Sequence, residues 1–94
     1  MDTYRITYQR HAVERMAQRG ISEEDVENVL LTGNIVEQYP HDTPYPSELL
    51  LGWCVARPIH IVVATDTVNR RKIVITVYVP DPRKWEADFR RRKL

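Results

Sequence analysis

The sequence predicts an α+β domain: two N-terminal helices packed on a four-stranded antiparallel sheet, closed by a short C-terminal helix. Three observations predict it. Residues 9–32 carry two apolar stripes at helical spacing, separated by a Gly and a capping signal. After Asn34 the pattern turns into short β-type runs, and Pro80-Asp81-Pro82 stops the last of these before a spaced aromatic pattern. At 94 residues the chain has room for one core, so 1–94 is read as a single domain.

The first helix is expected over Gln9 to Arg19, which lacks Gly and Pro and sets Ala12, Val13, Met16 and Ala17 on one side. Gly20 suits a C-terminal cap. Ser22 followed by Glu23, Glu24 and Asp25 supplies an N-cap and an acidic first turn, which the helix dipole favours. Val26, Val29 and Leu30 then make the buried stripe of a second helix ending near Thr32, before Gly33 and Asn34.

Four strands are predicted over 35–39, 49–56, 59–65 and 73–79. The segment 40–46 holds three prolines and reads as a loop, and 66–71 as a hairpin connection between antiparallel neighbours. Alternation puts Ile59, Ile61 and Val63 on one face of the third strand, with His60, Val62, Ala64 and Asp66 on the other. In the fourth, Ile73, Ile75, Val77 and Val79 form one apolar face, opposite Val74, Thr76 and Tyr78. Trp85, Ala87 or Asp88, and Phe89 are expected to lay one face of a short terminal helix on the fold.

The net charge of +1 conceals an uneven distribution. Residues 22–49 hold seven acids and no Lys or Arg, whereas Arg83 to Leu94 hold six basic residues against Glu86 and Asp88. A polyanion such as RNA would therefore favour the ends of the chain, and Arg90, Arg91 and Arg92 are candidate contacts. Cys54 has no partner for an intrachain disulfide, and no basic start is joined to a long apolar run, so a cytoplasmic chain with no membrane partner is expected. His11, His41, His60 and Cys54 show no zinc-type spacing, and no phosphate loop or dinucleotide fingerprint is present, so neither metal nor cofactor is expected.

His11, Arg15 and Arg19 stand at i, i+4 and i+8, so an imidazole and two guanidiniums run down one stripe of helix one. Arg holds phosphate oxygens in a bidentate fork and histidine moves protons near neutral pH, a combination suited to a phosphodiester. His60, Thr76 and Tyr78 share a sheet surface if the last two strands pair.

His11-Ala12-Val13-Glu14-Arg15-Met16, Arg19-Gly20-Ile21-Ser22, Pro58-Ile59-His60, Val77-Tyr78, Pro80-Asp81-Pro82 and Trp85 together resemble a bacterial domain-of-unknown-function family, DUF4258. That family is similar to toxin-like domains of the barnase, EndoU, colicin and RelE group, and the resemblance implies a RelE-like fold of helices on a four-stranded antiparallel sheet. It further implies the toxin of a toxin–antitoxin system, a metal-independent endoribonuclease acting through 2′-hydroxyl attack and partnered by a cognate antitoxin. His11, Arg15, His60 and Tyr78 match the family's polar motifs and are the implied catalytic residues, with Arg19 and Thr76 added from their placement as substrate contacts. The alternative is a non-catalytic interaction module, or a toxin that binds a protein target without cleaving RNA, docking through the acidic second helix or the proline-rich loop.

Overall fold

In the computed structural model, which describes residues 3–94, the chain begins as a strand, β1 (Arg5–Tyr8), before helices α1 (Arg10–Arg19) and α2 (Glu23–Thr32). Four strands follow: β2 (Asn34–Tyr39), β3 (Ser47–Cys54), β4 (Arg57–Asp66) and β5 (Arg71–Tyr78). The sheet order is β1-β5-β4-β3-β2, with β1 parallel to β5 and the other neighbours antiparallel.

Local chemistry sets the helix ends. Gly20 caps α1 at φ 63°, in the left-handed region that glycine enters without a Cβ clash, and its N–H donates to the Met16 carbonyl. Ser22 and Asp25 form a reciprocal capping box at the start of α2, each side chain accepting the other's backbone N–H. Ala12 and Met16 of α1 and Val26 and Val29 of α2 then meet Leu50, Ile59, Ile61, Val63, Val74 and Val77 of the sheet. Helix α2 approaches β3 very closely at Gly52, where an added Cβ would lie 2.5 Å from a Val29 methyl.

The observed topology corrects the expected four-stranded antiparallel sheet with a C-terminal helix. The sheet has five strands and is mixed, because Arg5–Tyr8 pairs in parallel with Arg71–Val74. The parallel pairing joins opposite ends of the chain, so no turn or hairpin signal marks it; only the short alternation Arg5-Ile6-Thr7-Tyr8 does.

The terminal helix fails for a local reason. One turn forms, with Lys84 and Trp85 N–H donating to the Asp81 carbonyl. Asp88 then accepts the N–H groups of Arg90 and Arg91, and Phe89 sits at φ 56°. These side-chain bonds satisfy the backbone in a turn rather than a helix. The chain doubles back, so that Trp85 and Arg92 form an antiparallel bridge.

The apolar face expected for β5 is also broken. Val62 pairs with Thr76 but Val63 pairs with Val74, which leaves Ile75 as a bulge. The extra residue shifts the alternation by one, so Val74 before it and Val77 after it both enter the core.

Asp66 closes the β4–β5 connection. Its carboxylate, 1% exposed, accepts the Asn69 N–H at 3.1 Å and Nδ2 at 2.9 Å and pairs with Arg71 at 3.0 Å. The Asn69 bonds, with help from Arg71, hold it well below the ordinary aspartate range. Since the folded-state pKa is the lower one, its stabilisation is present above the ordinary range and is withdrawn as pH falls below it. Asp66→Asn should therefore flatten the acid limb of stability when urea midpoints are followed from about pH 7 to about pH 3. Limbs of equal slope would remove Asp66 from acid sensitivity.

A candidate phosphodiester-binding cleft

Strand β1 covers only the first half of β5, and α1 departs where the Gln9 N–H donates to the Val74 carbonyl. The second half of β5 is left as an open edge beside α1. The C-terminal segment crosses the opposite side, and the three walls enclose a cleft of about 430 Å³.

His11, Arg15 and Arg19 enter this cleft from α1, Thr76 and Tyr78 from β5, and Arg92 from the C-terminal segment. Six residues singled out in the sequence thus line one space. Helical spacing explains the first three, since Ala12 and Met16 turn inward and place the stripe beside them at the helix edge. The bulge explains the next two, because after Ile75 it is Val77 that faces the core and Thr76 and Tyr78 that face away from it.

The other predicted residues lie elsewhere. His60 is fully buried behind Tyr78 and is not among the lining residues, so it meets a cleft ligand only through another group. Arg90 and Arg91 are exposed outside the cleft, where Arg91 pairs with Asp88 at 3.1 Å. Lys84, Asp81 and Trp85 line the cleft and were missed by sequence reasoning. Asp81 and Trp85 carry a motif and an aromatic spacing in the sequence, but the turn that aims all three into the cleft has no period.

The charge of the cleft is cationic. Asp81 is engaged by Arg83 at 3.2 Å and Arg92 by Glu37 at 2.9 Å, with the Arg92 guanidinium 4.6 Å from the Trp85 ring centroid. Among the described residues, Arg15, Arg19 and Lys84 make no ion pair. Arg15 and Arg19, together with Lys84, whose charge also acts on Asp81, turn three cations into one concavity placed to take up an anion. A second concavity between α2 and the β3–β4 turn is lined by Glu24, Asp25, Glu27, Leu31, Trp53 and Val55, and its charge repels one.

Behind the cleft, His60 pairs in register with Tyr78. Its Nδ1 lies 3.1 Å from the Tyr78 hydroxyl and its Nε2 lies 2.8 Å from the Phe89 carbonyl. The Trp85 ring covers it edge-on at 4.6 Å. Burial pushes the imidazole below its usual pKa and the Tyr78 phenol above its own, so both are neutral at rest. Cys54, whose thiol is likewise pushed up by burial, has no thiolate character to offer. Among the described residues no three His, Cys, Asp or Glu side chains converge as metal ligands, and no helix is long and apolar enough to cross a membrane.

Fold and cleft define a small α+β domain with a cationic, histidine-bearing groove at the edge of a mixed sheet. The chain belongs to the family described as Domain of unknown function (DUF4258), which it matches over residues 8–79. That span holds every cleft residue except Asp81, Lys84, Trp85 and Arg92. No curated protein and no solved structure matches the chain.

Proposed function

We propose that the chain is a metal-independent endoribonuclease that binds a phosphodiester in this cleft. The observation that carries the reading is the convergence of Arg15, Arg19, Lys84 and Arg92 with His11 and Tyr78 in one concavity. The cations hold phosphate oxygens, and those at the reacting phosphate stabilise the charge that accumulates on it. The ribose 2′-hydroxyl attacks the adjacent phosphorus, the O2′–P bond forms and the P–O5′ bond breaks. His11, exposed on α1, gives a proton to the departing 5′ oxygen, and a cleft group takes the 2′ proton. The products are a 2′,3′-cyclic phosphate end and a 5′-hydroxyl end. In this reading the chain is the cytoplasmic toxin of a toxin–antitoxin pair, with RNA as substrate and a cognate antitoxin as protein partner.

Incubation of the protein with labelled RNA and the equivalent DNA, in EDTA, tests it. RNA alone should be cut, and Arg15→Ala should weaken binding while lowering the slope of log affinity against log salt by about 0.7 per lost phosphate contact. An unchanged slope would detach Arg15 from phosphate. The docking-module reading rests on a different observation: Leu31, Trp53 and Val55 are exposed beside Glu24 and Glu27. Protein capture without any RNA cleavage would favour it.

A further inference from the structure

We infer that Tyr78 recognises the ribose 2′-hydroxyl as a hydrogen-bond donor, its own hydroxyl proton being committed to the buried His60 by the main-chain carbonyl of Phe89. The inference rests on the RNA reading and adds what selects RNA over DNA and where the 2′ proton goes.

The geometry fixes the protons by elimination. A carbonyl oxygen only accepts, so His60 Nε2, 2.8 Å from the Phe89 oxygen, carries the hydrogen. A neutral imidazole has one N–H, which leaves Nδ1 as an acceptor, and the Tyr78 hydroxyl 3.1 Å away donates to it. The groups facing His60 from the elements around it are Tyr78 on β5, Glu37 on β2, and Trp85 and Arg92 on the C-terminal segment. Burial of the ring works toward the neutral form, the Phe89 carbonyl and Glu37 favour protonation, and Arg92, which holds Glu37, opposes it.

Tyr78 has a single hydroxyl proton. With that proton committed, the phenol that lines the cleft has only acceptor capacity left for a ligand. Phosphate oxygens bring no hydrogen to it. A ribose 2′-hydroxyl brings one and a 2′-deoxyribose does not, so the arrangement discriminates by sugar rather than by base.

The same contact supplies the proton route. As O2′ bonds to phosphorus, its proton moves to the Tyr78 oxygen while the Tyr78 proton moves to His60 Nδ1. His60 becomes an imidazolium that keeps its Nε2–H on Phe89, and Tyr78 ends neutral. The P–O5′ bonding pair leaves with the 5′ oxygen, which takes its proton from His11. His60 thus serves as a positioning residue and proton store that never touches RNA.

Oligonucleotides carrying 2′-amino, 2′-fluoro or 2′-deoxy sugars test this at the level of binding, since all three lack the attacking oxygen and only the amino sugar donates. Wild-type protein should bind the 2′-amino oligomer roughly three- to tenfold more tightly than the other two, a preference that Tyr78→Phe abolishes. Equal binding of all three by wild type, or a preference that survives Tyr78→Phe, overturns the inference and leaves the RNA reading standing. Failure to bind any of them removes the RNA reading and this inference with it. Nitrogen-15 NMR of the wild-type His60 ring gives a check independent of any variant: a proton on Nε2 is expected, and a proton on Nδ1 with bare Nε2 would overturn the assignment.

Discussion

On the proposed RNA reading, replacing His11 with alanine should lower RNA cleavage by about 10²- to 10⁴-fold, the range over which a positioned proton donor contributes to a transition state. His11 is exposed on α1, and no hydrogen bond or ion pair to it is formed among the described residues. Its removal should leave stability within about 0.5 kcal/mol of wild type, as for surface substitutions away from caps and cores. The loss should fall on kcat, because the proton is delivered only as the P–O5′ bond breaks. Arg19→Ala offers the contrast. Losing a side chain that holds a phosphate equally before and during the reaction should raise KM and leave kcat near its original value. Single-turnover cleavage of one labelled RNA by both variants separates the roles. Wild-type rates from a folded His11→Ala protein would end the assignment of His11 as the acid.

How far the cleft was legible in the sequence follows from the range of the forces involved. Helical spacing is local, so His11, Arg15 and Arg19 could be put on one stripe from sequence alone. The capping box at Ser22 and Asp25 was foreshadowed by the Ser and acidic residues that open α2. Strand β1 could not be reached this way, because Arg5–Tyr8 owes its conformation to Arg71–Val74 at the other end of the chain. The bulge at Ile75 is similarly non-local. Nothing in Ile73-Val74-Ile75-Thr76-Val77 announces a phase shift, yet the shift lets Val74 and Val77 both be buried. His60 was legible as a residue out of step with the core. Its burial was not, because the cover is made by Trp85 and Phe89 from a segment whose turns depend on Asp81 and Asp88 side chains. Sequence pattern read that segment as helix because aromatic spacing is visible and competition from aspartate side chains is not.

Trp85→Ala should cost about 3–5 kcal/mol, the range for truncating a buried aromatic, although the residue lies in no helix or strand of the main sheet. The indole is 3% exposed, stands edge-on to His60 and carries the Arg92 guanidinium on its face. Its loss opens a cavity, strips the cover from the imidazole and releases one anchor of Arg92. The pH dependence should change in a definite sense. In the wild type the folded-state pKa of His60 is depressed by burial, so the stability tied to its neutral form is present above the ordinary histidine range and is lost as pH falls through it. Without Trp85 the imidazole gains water and its pKa returns toward the ordinary value, so the variant should lose less stability than wild type between about pH 7 and about pH 5. Urea midpoints at both pH values, with an NMR titration of the His60 ring, measure the two effects together. A loss below about 1 kcal/mol would mean that the C-terminal segment is seated too loosely to hold His60 behind Tyr78. A large loss with an unshifted His60 titration would instead assign the depression to the strands around the ring, leaving Trp85 as packing alone.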